Sequence, residues 1–480
     1  MTSSFNPLLG RLFLSAWGLS CIPEHRAFVR ALEDPAQAQA QVLARLLANG
    51  ETCAFAKSHG VKAGMRAADF QSAVPVTDAD ALAPWITRIR HGEAQVLTGE
   101  PVTRLVPTSG STGPCKLVPY TRGLLQEFQR ALQAWMGDLL AQHPTLKRGP
   151  LYFATSPAQE PPTLASRIPI GYADDGEYLG PLVGALAARA MAVSPQVSHL
   201  RGEAWRQATR QALLDSQNLR LLSLWHPSYL DGVLEGETPH WPDLKVISCW
   251  ADGPARAGAE ALAARFPQAV LQPKGLILTE GAVSIPFGGA HPLAVRSHFL
   301  EFEETGGAVR PAHELEPGGR YRPILTTGGG LWRARLGDLI EVEGRLHETP
   351  SIRFIGRADG VCDLRGEKLS DAQVGSALAS LSGFAMLAPE GDGYALYAEA
   401  TLDEAQVKGV GRALCENPHY AWAIQLGQLR ALRFVRVPAH APARVLARDR
   451  AEGKVQSKPR HLDPRSGWAE WLCTNQGGTP

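Results

Sequence analysis

Short apolar strands alternate with amphipathic helices through the middle of the chain, and this alternation limits the fold more than any other feature. The predicted strands lie at 102–107, 151–155, 219–224, 244–250 and 270–272, and predicted helices follow residue 116 and lie near 203–216 and 257–265. Such alternation predicts an α/β architecture with largely buried strands. From about residue 295 the pattern changes to strands joined by turns. Charged residues crowd after Arg357, so we expect a domain boundary near 356–359.

Composition excludes several classes of protein. The 48 Lys and Arg are balanced by 47 Asp and Glu, so no net field favours nucleic acid or an anionic membrane. The seven Cys form no CxxC pair, which argues against a disulfide framework or zinc site and favours a reducing cytoplasm. Residues 12–22 predict an amphipathic first helix that ends at Pro23. We therefore expect a cytoplasmic monomer without membrane or nucleic-acid partners.

The sharpest local signal is the loop TSGSTGPCK, residues 108–116, which follows a predicted strand and precedes a predicted helix. Small residues let backbone N–H groups approach phosphate oxygens, the hydroxyls add donors, and Lys116 supplies positive charge. The sequence has neither a Walker loop nor a GxGxxG motif. A simple Ser/Thr/Gly surface loop is the alternative. The flanking strand and helix and the terminal lysine favour phosphate binding.

A second signal is Thr279-Glu280-Gly281, where one carboxylate lies between two apolar runs. A carboxylate in such surroundings is costly unless it is paired or holds a cation. One interpretation is that Glu280 binds magnesium and Thr279 donates to a phosphate. The alternative is a structural salt bridge between Glu280 and an arginine.

Two further segments carry charge in patterns that suit a nucleotide site. In TTGGGLWRARLGDLIEV, residues 326–342, Asp338 begins an apolar strand and suits two ribose hydroxyl bonds. Arg333 and Arg335 either steer anions or pair with Asp338. In RFIGRADGVCDLRGEKLS, residues 353–370, the charged residues between Arg357 and Lys368 surround Gly360 and Gly366. This segment is either a solvated turn or a hinge that touches nucleotide.

The order and spacing of these motifs resemble the adenylate-forming superfamily, which includes acyl-CoA synthetases, luciferase and peptide-synthetase adenylation domains. The chain is most similar to the plant auxin-responsive acyl-acid amido synthetases and their bacterial relatives. ENPHYAWAIQLGQLRALRFVRV, residues 416–437, is characteristic of that branch, and the resemblance spans about residues 25–465. It implies a large N-terminal adenylation domain with several sheets flanked by helices, 1–355, and a small mobile α+β cap, 356–480.

The resemblance also implies ATP and Mg²⁺ as cofactors and assigns site residues. Asp252 and Gly253 would lie beside adenine, Thr279 and Glu280 at the α-phosphate and magnesium, Asp338 on the ribose, and Arg357 on ribose or phosphate. Asp359 would be the hinge, and Lys458, with Lys454 second, the cation of the mobile domain. The triphosphate would be held by Ser109, Gly110, Ser111, Thr112, Gly113 and Lys116. Lys116, Glu280 and Lys458 would be the catalytic groups.

The reaction that the resemblance implies is adenylation of a carboxylic acid followed by acyl transfer to an amine, with an amino acid as the expected acceptor. The acyl pocket would draw on residues between about 155 and 230, including Trp225, His226 and Tyr229, although aromatic residues there also suit a core. Leu276 stands where the superfamily usually has an adenine-stacking aromatic residue. Two alternatives stay open: an acyl-CoA ligase, and a degenerate member without activity.

Overall fold

The computed structural model describes residues 7–108, 117–154, 165–171, 188–304, 306–357, 361–439, 441–451 and 460–473. The chain divides into two compact units with a boundary between Gly356 and Arg357. The boundary expected from the sequence lies one residue earlier. The assignment of ATP and acyl binding to the first unit and of a mobile cap to the second stays a prediction.

The first unit begins with five helices: α1 (Pro7–Glu33), α2 (Pro35–Gly50), α3 (Ala54–Ser58), α4 (Ala67–Ala73) and α5 (Ala79–Arg90). The prediction that the first helix ends at Pro23 is wrong, because α1 continues through this proline. Pro23 removes one backbone hydrogen bond from the helix, but side chains on both sides of it are buried, namely Leu14, Cys21 and Phe28. The free energy gained from this packing exceeds the cost of the lost bond. Asp34 caps α2 by accepting from Gln37 N at 2.9 Å.

A parallel sheet forms the centre of this unit, in the order β3–β4–β5–β6. Its strands are β3 (Leu151–Phe153), β4 (Leu221–Ser223), β5 (Val246–Cys249) and β6 (Val270–Pro273). Helices α7 (Gly202–Asp215), α8 (Tyr229–Leu234) and α9 (Arg256–Arg265) lie between the strands in sequence. Strands β4 and β5 are fully buried, as expected for a parallel sheet, which confirms the predicted α/β architecture.

A short hairpin flanks the segment that contains the predicted phosphate loop. Strand β1 (Arg104–Pro107) pairs antiparallel with β2 (Leu117–Tyr120), and α6 (Arg122–Gln142) follows. Thr121 caps α6 by accepting from Leu124 N at 3.1 Å. The apolar face of α6 packs against α1, with Trp135 and Leu139 buried in the main core. The predicted strand and helix are therefore present, and the strand β2, which was not predicted, lies between the loop and the helix.

The remaining strands of the first unit form a mostly antiparallel sheet in the order β12–β11–β9–β7–β8, with β10 paired to β9. The strands are β7 (Phe299–Glu304), β8 (Val309–Pro311), β9 (Arg320–Thr326), β10 (Ala334–Arg335), β11 (Asp338–Leu346) and β12 (Thr349–Arg357). The change of pattern expected after residue 295 corresponds to this sheet.

The second unit is smaller and mixes helices with one sheet. Strands β13 (Ala385–Glu390) and β14 (Gly393–Ala398) pair antiparallel, and β15 (Arg433–Arg436) pairs parallel to β14. Its helices are α10 (Asp371–Leu378), α11 (Glu404–Leu414), α12 (Pro418–Gln425), α13 (Ala441–Ala451) and α14 (Trp468–Cys473). Capping boxes at Ser370 and Asp403 begin α10 and α11. This unit has the predicted α+β character.

No helix within the described ranges has both the length and the apolar character needed to cross a membrane.

Candidate active site

Part of the predicted site lies outside the described residues. These positions are Ser109, Gly110, Ser111, Thr112, Gly113, Lys116, Asp359, Lys454 and Lys458. Their roles stay predictions. The structure does describe the strands and turns on either side of residues 109–116, together with the six remaining site residues.

The segment Thr279-Glu280-Gly281 is a tight turn tied to the strand that follows the predicted phosphate loop. The backbone N–H of Leu278 donates to Gly281 O at 2.9 Å, and Gly281 N donates back to Leu278 O at 3.2 Å. The buried Tyr120, the last residue of β2, donates its hydroxyl to Thr279 O at 2.8 Å. This bond places the turn beside the end of β2, four residues after Lys116.

Glu280 is half-buried at this turn. No hydrogen bond or ion pair to its carboxylate is found in the part of the chain that the structure describes. The alternative of a structural salt bridge to an arginine therefore has no support among these residues. A half-buried carboxylate without a partner is available to a cation.

A buried acid–base pair lies directly behind the turn. Glu127 of α6 and His298, both almost fully buried, share a hydrogen bond of 2.8 Å between Oε2 and Nδ1. In the neutral ring this bond places the proton on Nδ1. Glu127 also accepts from Gly328 N at 3.0 and 3.1 Å. The pair thus connects α6 to the triple-glycine turn at 328–330 and to the neighbourhood of Gly281.

Both turns need glycine because neighbouring atoms leave no room for a side chain. A Cβ on Gly281 would lie 2.8–2.9 Å from Leu325 and His298, and a Cβ on Gly329 would lie 2.5 Å from Pro119 O. Thr121 donates to Gly328 O at 3.0 Å, which adds a further link. The two turns, β2 and the start of α6 therefore form one tightly packed unit around the position from which Glu280 projects.

Sequence reasoning missed Glu127 and His298. The available signal was a glutamate one helical turn after Leu124 on the apolar face of α6, where a charged residue needs a partner. Nothing local identified His298 as that partner, because 171 residues separate the two in sequence.

Gly281→Ala is expected to lower the free energy of unfolding by about 1–3 kcal/mol, because the added methyl group overpacks against buried His298 and Leu325. The substitution also displaces Glu280, so the rate of acid-dependent pyrophosphate exchange is expected to fall as well. Urea unfolding of the variant measures the first effect. Gly344→Ala is the control, since a Cβ there meets nothing within 4 Å and the expected change is within about 0.5 kcal/mol. Equal unfolding midpoints for both variants would contradict the packing argument.

Asp252 and Gly253 follow β5 at the carboxyl end of the parallel sheet, where ligands of open α/β sheets bind. Asp252 Oδ2 accepts from Phe354 N at 3.3 Å, and a Cβ on Gly253 would lie 3.6 Å from the Phe354 ring. A surface depression of about 380 Å³ includes Gly253, Arg256 and Phe354 in its lining. The predicted adenine neighbours thus lie beside an aromatic ring on β12.

Asp338 and Arg357 lie at strand ends. Asp338 is buried and begins β11, and Arg357 is the last residue of β12. Leu276, at the position of the expected adenine-stacking residue, packs against the main core. Leu276 therefore has a packing role in the structure. The assignments of residues to the ribose and to adenine stay predictions.

The interpretation of Arg333 and Arg335 is corrected. Arg333 Nε and Nη2 bind the two carboxylate oxygens of Glu301, each at 2.9 Å, and Arg335 binds Glu303 at 2.9 Å. Glu301 is inaccessible to solvent and the Arg333 side chain is 6% exposed. These arginines hold strands together rather than steering anions, because their donors are directed at glutamates of β7.

The residues predicted for the acyl pocket fall into two groups. His226 is buried with its Nδ1 2.7 Å from Ser228 Oγ, and the buried Tyr229 shares a hydrogen bond of 2.6 Å with Tyr152. This favours a core role for both. Trp225, which follows β4, is 40% exposed and lies at the carboxyl end of the sheet. It remains the candidate for a pocket wall.

Two domains of one family match the chain. The GH3 family N-terminal domain matches residues 24–234, and the GH3 family central domain matches residues 292–357. The central-domain match ends at the boundary of the first compact unit. The two matches together include more than half of the chain.

Curated relatives of the chain carry the same family name. The chain is 25% identical over 438 residues to an indole-3-acetic acid-amido synthetase GH3.8 of Oryza sativa subsp. indica, with 74% of this chain and 71% of the relative covered. It is 29% identical over 157 residues to a human GH3 domain-containing protein, with 29% and 28% covered.

Among solved structures, the fold is similar to the AtGH3.15 acyl acid amido synthetase in complex with 2,4-DB, at a TM-score of 0.62 and 16% identity, covering 93% and 95% of the two chains. It is also similar to a 2-hydroxyisobutyryl-CoA ligase, at a TM-score of 0.54 and 16% identity, covering 91% and 92%. These likenesses extend over both units, and they support the predicted fold of a large α/β domain with a smaller C-terminal domain. The two domain matches lead to one conclusion: the chain belongs to the GH3 family.

Proposed function

We propose that this protein is an ATP-dependent acyl-acid amido synthetase that joins a carboxylic acid to an amine, with an amino acid as the expected acceptor. The observation that carries the proposal is the half-buried Glu280, without a partner among the described residues, on the turn that Tyr120 ties to β2. Family membership supports it, since relatives that cover most of the chain are named amido synthetases.

The reaction has two balanced steps. A carboxylate oxygen of the acid attacks the α-phosphorus of ATP, and pyrophosphate leaves with the phosphoanhydride bond electrons. The amine nitrogen then attacks the acyl carbon, AMP leaves, and the nitrogen loses a proton to solvent. In our proposal Lys116 and the backbone amides of residues 109–113 stabilise the charge that develops on the phosphates.

A magnesium ion fits the donor set at Glu280. In the described part of the chain no three His, Cys, Asp or Glu side chains cluster to hold a metal ion. Mg²⁺ on a nucleotide needs no such cluster, since it is bound by phosphates, waters and one or two carboxylates. When bound, the ion would neutralise phosphate charge, and Glu280 would hold it beside the Thr279 turn.

The finer parts of the proposal are action in the cytoplasm, small-molecule substrates alone and a monomeric state. The scattered cysteines support the first part and the balanced charge the second. The acid and the amine are to be identified by experiment.

The test is a screen of the purified full chain for acid-dependent exchange of radiolabelled pyrophosphate into ATP. Indole-3-acetate, benzoate and straight-chain aliphatic acids are the first acids to be tried. Acids that support exchange are then incubated with each amino acid and, separately, with CoA, and products are identified by mass spectrometry. Amide products with AMP release are the expected result. Thioester formation without any amide would replace the proposal by an acyl-CoA ligase, and absence of exchange with every acid would refute adenylation.

A further inference from the structure

Lys274 lies at the carboxyl end of the parallel sheet. It directly follows β6, and its backbone N–H donates to Cys249 O at 2.9 Å, which extends the pairing of β6 with β5 by one residue. Trp225 follows β4 at the same end, and its ring lies 6.1 Å from that of Trp250, which follows β5. Ligand sites of open α/β sheets form outside this end of the strands.

The ammonium group of Lys274 is enclosed by aromatic rings. Nζ lies 4.4 Å from the centroid of the Trp225 ring and 6.0 Å from that of Trp135. The lysine is only 8% exposed, whereas Trp225 is 40% exposed. Trp135 is fixed by a hydrogen bond from its Nε1 to Gln272 Oε1 at 2.9 Å. Lys274 is thus buried behind a tryptophan that itself faces solvent.

The part of the chain that the structure describes offers this cation no hydrogen-bond acceptor. Among the described residues, no carboxylate, carbonyl or hydroxyl oxygen lies within hydrogen-bond distance of Nζ. Burial lowers the pKa of Lys274 to about 7, and it raises that of its neighbour Cys249 to about 12, so the thiol supplies no negative charge. The buried Arg333 of the same unit, by contrast, is paired with the buried Glu301. A buried lysine is costly without an anionic partner.

We propose that Lys274 binds a carboxylate oxygen of the acyl acid and is a specificity-determining residue of the acyl site, with Trp225 and Trp135 as its walls. This inference rests on the proposed adenylation of an acid. The contact is a charge-assisted hydrogen bond in an enclosed, aromatic-lined place, where it is stronger than in water. The carboxylate is either the one that is adenylated or a second acidic group on the same molecule.

The test compares the full-length protein with Lys274→Met, which keeps the apolar stem and removes the charge. The Michaelis constants for acid and for ATP are measured by pyrophosphate exchange with two matched pairs, hexanoate with adipate and benzoate with terephthalate. We expect the KM of the acid to rise at least tenfold and the KM of ATP to change less than twofold. Lys408→Met, on the exposed surface of α11, is the control and should change neither.

The pairs of acids distinguish the two sources of the carboxylate. An equal rise for mono- and dicarboxylic acids indicates the reacting carboxylate, and a rise confined to dicarboxylic acids indicates a second acidic group. Both results support the inference. Competitive labelling of the wild-type protein with acetic anhydride at pH 7.5 gives a readout without turnover, since an acid that binds Lys274 should slow acetylation of that residue at least threefold.

Thermal unfolding shows whether Lys274→Met remains folded. The folded-state pKa of about 7 lies below the ordinary value of 10.5, so the burial cost of the charge is fully present below pH 7 and disappears toward pH 10.5. The variant should therefore melt higher than the wild type at pH 6, and the difference should shrink as pH rises. If the wild type is active and the variant keeps its acid KM within threefold, the inference is wrong and the proposed function stands. If the wild type supports exchange with no acid, the proposed function fails and the inference fails with it.

Discussion

Glu280→Gln is expected to lower acid-dependent pyrophosphate exchange by about 100-fold or more, with little change in the thermal unfolding midpoint. Glutamine keeps the shape of the side chain and its hydrogen-bonding capacity but removes the negative charge. The carboxylate has no ion-pair partner among the described residues, so its loss breaks no structural contact there. The effect should therefore fall on cation binding and on the chemistry, not on folding.

The measurement is the exchange rate as a function of Mg²⁺ concentration for the wild type and the variant. A requirement for more Mg²⁺ in the variant would identify the carboxylate as a metal ligand. Glu260→Gln makes the same chemical change on the exposed surface of α9 and should leave exchange unchanged. Full exchange by Glu280→Gln at ordinary Mg²⁺ concentration would remove Glu280 from the site and leave the Thr279 turn as a purely structural feature.

The parts of the fold that follow local periodicity could be predicted from the sequence. The strands near 151, 219, 244 and 270 and the helices near 203–216 and 257–265 occur within a few residues of their expected places. Their patterns are local, since a buried strand and an amphipathic helix are each encoded by a few consecutive residues. Glu280 was likewise singled out locally, as a carboxylate between two apolar runs, although the turn that carries it was not predicted.

What could not be predicted are the contacts between distant segments. Glu127 and His298 form one buried pair, yet neither has a local signal that names the other. Lys274 was not distinguished in the sequence, because its proposed role depends on two tryptophans from other elements. It also depends on the absence of an acceptor among the described residues, which no local pattern reveals. The role of Arg333 was not predicted for a related reason. Its partner Glu301 lies on β7, 32 residues earlier in the chain.

The Arg333–Glu301 pair connects the antiparallel sheet to α4. Arg333 Nη1 donates to Gln71 O at 2.9 Å and Val74 O at 2.6 Å, and Gln71 Nε2 donates to Glu301 Oε1 at 2.9 Å. The three guanidinium nitrogens of Arg333 therefore all have partners, on β7, on α4 and at Val74, which follows α4. The residue has a positive φ of 47°, a strained backbone that the surrounding bonds maintain.

Arg333→Met is therefore expected to lower the free energy of unfolding by about 3–5 kcal/mol, because it leaves the carboxylate of Glu301 buried and uncompensated. The double variant Arg333→Met/Glu301→Gln should recover part of this loss, since glutamine removes the orphaned charge and keeps the bond to Gln71. Chemical denaturation of the single and double variants, followed by tryptophan fluorescence, measures both effects in a double-mutant cycle.

Arg310→Met is the matched control, because Arg310 pairs with Glu304 at the protein surface, where solvent screening leaves such pairs little effect on stability. If Arg333→Met cost no more than Arg310→Met, the buried pair would not be what holds this sheet to α4. If instead Arg333→Met left stability intact but reduced pyrophosphate exchange, Arg333 would act on the substrate after all. A large loss of stability, partly restored in the double variant, is the result that only a structural ion pair produces.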